Sequence, residues 1–163
     1  MVRWSDFRSA RPDLAHAGEG LLYQFGVGLA FLATVRLDGG PRVHPMCPIL
    51  SEGGLYALLV PSPKRNDLLR DPRFSLHSFP CDDNEDAFYV TGAARPVEDA
   101  LVRDPVIATY LAERKDLAMT PQDLRDQMLF AFDIETCLLS RTAGHGDPGP
   151  RHVVWHASTH PAV

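Results

Sequence analysis

A β-hairpin pattern in residues 29–50 is the feature that most limits the folds open to this chain. In residues 29–38 apolar side chains alternate along the sequence, which is the spacing of one face of a strand. The turn Asp38-Gly39-Gly40 follows directly and favours a tight reversal of the chain. A second strand is predicted over residues 42–50, where Pro45 and Pro48 cannot donate to a sheet and therefore indicate a bulge or an edge. The alternating residues of the first strand are Leu29, Phe31, Ala33, Val35 and Leu37, with Arg36 and Asp38 on the opposite face.

Further strand and helix patterns lie on both sides of this hairpin. The spacing predicts strands over residues 55–60, 74–79, 87–97, 128–140 and 152–157. It predicts helices over residues 12–25, 63–70 and 98–115, the last restarting at Asp104-Pro105, and a short helix that opens at Thr120. Six or seven strands joined mainly by hairpins predict a mainly β (α+β) fold, an antiparallel barrel with peripheral helices.

The domain organisation follows from the length, and the sequence contains no internal repeat or low-complexity block. At 163 residues the chain fits a single domain, 1–163. Residues 1–11 are interpreted as a loose N-terminal arm and residues 143–163 as a C-terminal tail. In the long strand over 128–140, one face is predicted to carry Phe130, Phe132, Ile134, Thr136 and Leu138.

Composition excludes several classes of function. A formal net charge of -5 argues against nucleic-acid binding, which needs a basic face. No stretch reaches the roughly 18 apolar residues of a membrane span, and the N-terminus lacks the apolar run of a signal peptide. The three cysteines are widely spaced and form no C-x-x-C pair, so reduced thiols in a cytoplasmic protein and no zinc site are expected.

The segment around Ser62 carries the clearest chemical signal. Ser62 suits the N-cap of a helix and Pro63 its first position. Lys64 and Arg65 then lie in the first turn, where the helix dipole disfavours cations. An anion such as a phosphate bound at this helix start would explain the mismatch, whereas a solvent-exposed basic turn is the alternative.

Two other segments offer candidate ligand contacts. Arg42 and His44 share one strand face, where they either grip a ligand or point into solvent. Trp155 offers a flat apolar surface, suited either to stacking on an aromatic cofactor or to core packing. His152 and His156 are four residues apart, but a strand pattern surrounds them and no further metal ligands are evident.

Common catalytic motifs are missing from the sequence. It contains no G-x-x-x-x-G-K-[ST] phosphate loop, no G-x-G-x-x-G after a strand and no G-x-S-x-G nucleophile elbow. No Cys/His or Ser/His pairing is evident as a catalytic dyad, so the catalytic residues are unknown at this point.

Taken in order, these segments resemble the pyridoxamine 5'-phosphate oxidase-like split β-barrel family. The resemblance covers residues from about 12 to about 97 and is looser afterwards, although Phe130 to Leu139 is similar to the family's closing strand. Its specificity lies in the combination of segments rather than in any single one. The segments are Phe31-Leu-Ala-Thr-Val, Asp38-Gly-Gly-Pro-Arg-Val-His-Pro45, Gly54-Leu-Tyr, Lys64 to Leu69, and Asp71-Pro-Arg-Phe-Ser-Leu-His77.

The resemblance implies a six- to seven-stranded split barrel that forms a homodimer with two cofactor sites at the subunit interface. FMN is the usual ligand of the family, and relatives bind the deazaflavin F420 or haem. By resemblance, the cofactor is lined through the second strand, its phosphate is held at the 62–66 segment, and a tryptophan covers its ring. The residues so implied are Arg42, Val43, His44, Ser62, Lys64, Arg65, Asn66 and Trp155.

Two functions follow from the resemblance. The first is a flavin-dependent oxidoreductase that transfers hydride between FMN, or F420, and a small organic substrate. The second is a non-catalytic protein that binds flavin, F420 or haem, with His44, His77 or His156 as candidate iron ligands. The Arg-x-Val-Leu-Leu-Lys and Arg-Leu-His-Asp-Arg segments of true vitamin B6 oxidases are absent, so oxidation of pyridoxamine phosphate itself is not expected.

Overall fold

Eight antiparallel strands and four helices form the part of the chain that the structure, a computed structural model, describes, residues 1–158. The helices are α1 (Trp4–Ala10), α2 (Pro12–Leu22), α3 (Pro63–Arg70) and α4 (Ala100–Glu113). Short 3₁₀ turns follow α4 at Lys115–Leu117 and Pro121–Leu124. The strands are β1 (Ala30–Val35), β2 (Pro41–Met46), β3 (Ile49–Ser51), β4 (Gly54–Leu59), β5 (Arg73–Ser78), β6 (Ala87–Val97), β7 (Met128–Arg141) and β8 (Arg151–His156).

The order of the strands makes the sheet a split barrel. It runs β2-β1-β5-β6-β7-β4-β3, and β8 pairs with the second half of β7. The two end strands, β2 and β3, are separated in the chain by Cys47 and Pro48 alone, so the sheet must curl until its ends approach each other. The predicted fold class is confirmed. One strand more is present than predicted because the segment over 42–50 is divided at Pro48, and β2 lies at an edge as its prolines indicated.

The β1 strand has apolar residues on both of its faces. Ala30, Leu32 and Thr34 point into the barrel and are almost fully buried. The alternating face recognised in the sequence is the outer one, where Phe31, Ala33 and Val35 are only half-buried. The chain therefore leaves an apolar strip on the outside of the sheet partly uncovered.

A β-bulge in β7 changes which residues face the core. Thr91 of β6 pairs with Thr136, but the next residue, Gly92, pairs with Ile134, which leaves Glu135 without a partner. The predicted single face is therefore wrong beyond Ile134: Thr136 and Leu138 are half-exposed, and Cys137 and Leu139 are buried instead. A Cβ on Gly92 would lie 1.9 Å from the Asp133 carbonyl oxygen, so only glycine fits beside the bulge.

The N-terminal segment is part of the core, so the prediction of a loose arm over residues 1–11 is wrong. Trp4 and Phe7 of α1 are buried to 1% and 0% exposure, and each ring packs against Phe88 of β6. The Val2 backbone bonds to Ile134 and fixes the segment to β7. Seven residues are too few for helix propensity to predict α1. The helix is stabilised instead by the burial of its aromatic rings.

Two helix boundaries differ from the predicted ones. The α2 helix ends at Leu22 rather than Phe25, whose ring is exposed. The α4 helix begins at Ala100, where Asp99 caps it by accepting from the Leu101 N–H, and it continues through Pro105 without restarting at Asp104-Pro105. In contrast, α3 has the predicted bounds. Residues 159–163 of the predicted tail lie outside the described residues, and no helix among residues 1–158 is long and apolar enough to span a membrane.

We predict that Phe7→Ala lowers the free energy of unfolding by about 3–5 kcal/mol, because it removes a fully buried ring from the barrel core. Urea denaturation followed by circular dichroism measures the change. Arg8→Ala on the same helix is the control, since Arg8 is exposed and forms only a surface ion pair with Glu19. A loss below about 1 kcal/mol for Phe7→Ala would show that α1 is not part of the core.

Candidate functional site

The start of α3 leaves its backbone N–H groups free of a side-chain cap. Ser62 occupies the N-cap position and Pro63 the first helical position, as predicted. The Ser62 hydroxyl does not cap the helix, however, because it donates to the Val60 carbonyl at 2.9 Å. The positive end of the helix dipole is therefore available to a ligand.

Asp67 is the residue that holds α3 against the sheet. Its carboxylate is 4% exposed and accepts hydrogen bonds from the Thr34 hydroxyl at 3.0 Å and the Arg42 Nε at 2.7 Å. Arg70 of the same helix also donates to it and reaches the Val35 carbonyl. Burial acts to raise the pKa of Asp67, but the hydrogen bonds from Arg42, Thr34 and Arg70 outweigh burial and hold the pKa below its ordinary value.

Lys64 lies between α3 and the edge strand β2. Its Nζ donates to the Pro45 carbonyl at 3.2 Å, and no carboxylate lies within 4 Å of it among residues 1–158. Burial lowers the pKa of Lys64, since the desolvated ammonium lacks a neutralising partner. An anion beside Lys64 would supply that partner.

Arg65 points away from Lys64. Its Nη1 donates to the Asp126 carbonyl at 3.2 Å, in the loop that leads into β7. Asn66 is exposed, and its backbone N–H donates to the Ser62 carbonyl. The structure therefore brings Lys64 to β2 and Arg65 to the 125–127 loop, so the residues predicted to share one phosphate turn diverge.

The β2 strand presents its candidate residues on both faces. Arg42 and His44 share one face, as the sequence indicated, opposite Thr34 and Leu32 of β1. Val43 lies on the other face, opposite Ala33, and is 59% exposed. Arg42 uses its Nε on Asp67, which leaves the two terminal amino groups of its guanidinium for a ligand.

Val43 belongs to an apolar area that we term the outer sheet face. Phe31 stacks on Phe79 at 4.2 Å between ring centroids, and Phe25 meets Phe79 edge-on. An apolar depression of about 280 Å³ lies at the other end of β1. The residues of the outer sheet face are Phe25, Phe31, Ala33, Val35, Val43 and Phe79.

Trp155 is not brought to the start of α3. Its ring is half-buried and packs on Phe7 at 5.0 Å between centroids, against the barrel core. His156 shares a hydrogen bond with the Thr136 hydroxyl, and His152 is exposed. Within residues 1–158 no three His, Cys, Asp or Glu side chains cluster as metal ligands would.

Sequence reasoning missed the Asp67 carboxylate and its partners Thr34 and Arg70. The only local indication was the spacing of Asp67 three residues before Arg70, and the same spacing is typical of a surface ion pair on a helix. The contact with Thr34 depends on the packing of α3 on β1, which no local pattern encodes.

Comparison with known proteins identifies the fold. No protein-family model and no curated protein matches the sequence. HutZ, a haem storage protein from Vibrio cholerae, matches with 19% identity and a TM-score of 0.60 over 76% of this chain and 89% of its own. A candidate pyridoxamine 5'-phosphate oxidase from Listeria innocua matches with 17% identity and a TM-score of 0.60, over 74% and 93%. A haem-binding protein from Mycobacterium smegmatis matches with 16% identity and a TM-score of 0.61, over 86% and 57%, so this chain spans little more than half of it.

At these sequence identities the comparisons show a shared fold but no shared ligand or activity. The chain shares the split-barrel fold of these proteins, which is the fold that the sequence resemblance implied. Proteins with this fold include haem-binding as well as oxidase-like members.

We predict that Asp67→Asn destabilises the protein at neutral pH by on the order of 3 kcal/mol, because Arg42 and Arg70 lose their buried partner. The pKa of Asp67 is lower in the folded chain, so its contribution is present above the unfolded value near pH 4 and is lost as the pH falls through the folded pKa. Urea denaturation between about pH 3 and 7 measures both effects.

The control is Asp83→Asn, which changes an exposed carboxylate in the 82–86 loop. The gap in stability between wild type and Asp67→Asn is expected to close in acid, whereas that for Asp83→Asn stays near zero throughout. A gap for Asp67→Asn that does not change with pH would contradict the ionised role of Asp67.

Proposed function

We propose that this protein is a flavin-dependent oxidoreductase that binds FMN between the start of α3 and the outer sheet face. The observation that carries the proposal is the position of Lys64. Its ammonium has no carboxylate partner among residues 1–158 and is fixed on Pro45, which pairs with Phe31 of the outer sheet face. A flat apolar ring with an anionic tail matches a cation at the border of an apolar surface.

The donors at this position fit a phosphate group. Lys64 and the uncapped N–H groups of α3 are groups of the kind that phosphates bind in proteins. Asp67 positions Arg42, and it also fixes the helix that carries Lys64. The side chains of Phe31, Ala33 and Val43 offer the ring an apolar surface.

FMN supplies the redox chemistry, since its ring accepts or gives a hydride. The protein's own residues bind the phosphate, orient the ring and keep water from it. These roles do not require a catalytic dyad. The substrate is a small organic molecule, and the free thiols of Cys47, Cys81 and Cys137 fit the reducing conditions of the cytoplasm.

A second candidate function is binding of haem, or of F420, without catalysis. His77 is exposed on β5, and its Nδ1 is engaged by the Ser78 carbonyl at 2.6 Å, which leaves Nε2 for a metal. HutZ, with the same fold, is a haem storage protein. The absorption spectrum of the purified protein distinguishes flavin, deazaflavin and haem.

We predict that Lys64→Glu weakens FMN binding by about 1–3 kcal/mol, because a charge-assisted contact to the phosphate is lost. Titration of FMN fluorescence measures the affinity. Lys115→Glu is the matched control, as it makes the same charge change on an exposed residue in the 3₁₀ turn after α4. Equal FMN affinity in the two variants would remove Lys64 from the phosphate site.

We also propose that the protein is a homodimer that covers the outer sheet face, since Val43 and its neighbours leave an apolar surface of the kind that subunits bury. Val43→Glu is predicted to shift the protein to monomer in size-exclusion chromatography with light scattering. Leu101→Glu, which changes an 86% exposed residue of α4, is predicted to leave the dimer intact. A monomeric wild type, or a dimer in Val43→Glu, would contradict this interface.

A further inference from the structure

A second basic site lies on the other side of α3, in a cleft of about 370 Å³. Its walls come from α3, from the residues after β6, from α4 and from the loop before β7. Three arginines, Arg65, Arg103 and Arg125, line the cleft together with Glu98 and Asp126. Such a concentration of arginines is unexpected in a chain with a net charge of -5.

Two of these arginines, Arg65 and Arg103, have no carboxylate within 4 Å in the described part of the chain, although Glu98 and Asp126 line the same cleft. Most arginines in residues 1–158 lie within 4 Å of an acid, but Arg65 and Arg103 do not. Both are half-buried. A half-buried guanidinium without a counterion is costly, so a ligand that supplies the negative charge would be bound favourably.

Backbone carbonyls hold these two guanidinium groups in place. Arg103 Nη2 donates to the Gln127 carbonyl at 3.2 Å and to the Leu124 carbonyl at 3.5 Å. Arg65 Nη1 donates to the Asp126 carbonyl at 3.2 Å. Neutral acceptors fix the direction of the side chains and leave their charge and several N–H donors unused.

One of the unused donors is buried. Arg65 Nε is shielded from solvent and has no acceptor among residues 1–158. It is one of three buried side-chain donors without a partner among residues 1–158, with Trp4 Nε1 and Arg114 Nη2, and the only one of the three whose residue lines this cleft. Arg125 adds a third charge, which is only weakly paired because its contact with Asp126 is 3.8 Å long and both side chains are exposed.

We propose that this cleft is a phosphate-binding site formed by Arg65, Arg103 and Arg125. Phosphate is the ligand chemistry that these groups favour, because several guanidinium groups can donate in pairs to its oxygens. The cleft has room for part of an organic molecule beyond the phosphate. The phosphate comes either from a separate phosphorylated metabolite or from FMN, in which case the FMN phosphate lies in this cleft and not at Lys64; neither source is needed to test the site itself.

Titration with inorganic phosphate tests the site without any flavin. Isothermal calorimetry is expected to show saturable binding to the wild type, weakened at least tenfold in Arg65→Gln and Arg125→Gln through loss of a charge-assisted contact. Arg8→Gln, which removes an exposed arginine of α1, serves as control and is expected to bind phosphate like the wild type. The NMR signal of the Arg65 Nε–H group is expected to shift with the same affinity.

The source of the phosphate follows from adding FMN. If FMN displaces inorganic phosphate and Arg125→Gln weakens FMN binding equally, the cofactor's own phosphate occupies the cleft. If FMN-loaded protein still binds phosphate with unchanged affinity, the ligand is a separate molecule. Both results support a phosphate site, whereas unchanged phosphate affinity in Arg65→Gln and Arg125→Gln, with wild-type melting temperatures, would overturn it.

Discussion

The buried carboxylate of Asp67 is the interaction on which the architecture of this site depends. It joins α3 to β1 through Thr34 and to β2 through Arg42, and Arg70 of α3 donates to the same carboxylate. Buried ion pairs contribute little net stability when all partners are present, but removal of one partner is costly. The main effect of Asp67 is therefore to fix the orientation of α3 on the sheet, because few alternative packings of α3 satisfy all of its hydrogen bonds.

The fixed orientation of α3 explains why Lys64 and Arg65, its two adjacent cations, lie in different sites. Consecutive residues on a helix project about 100° apart. Once Asp67 faces the sheet, Lys64 is directed to β2 and Arg65 to the loop before β7. Two adjacent positive charges in one turn, which the sequence presents as a single basic feature, therefore become parts of two sites.

Local patterns predicted what depends on local structure. The bounds of α3 and β6, the edge position of β2 and the class of fold all followed from turn residues, prolines and alternation. The loose arm was wrong because the burial of Trp4 and Phe7 depends on Phe88, far along the chain. The face of β7 was wrong because its bulge is set by pairing with Gly92. Likewise, the sequence indicated a basic helix start, but the partners of each side chain come from elements distant in sequence.

The edge strands of the sheet determine where another copy of this protein can add a strand. Exposed edge strands are common starting points for aggregation, because their free N–H and C=O groups pair with strands of other molecules. Here β3 has only three residues, and β2 contains Pro41 and Pro45, which have no N–H to offer. The strands β2 and β3 are therefore poor sites for pairing with another copy, which leaves β8, the exposed strand beside β7, as the free edge of the sheet among residues 1–158.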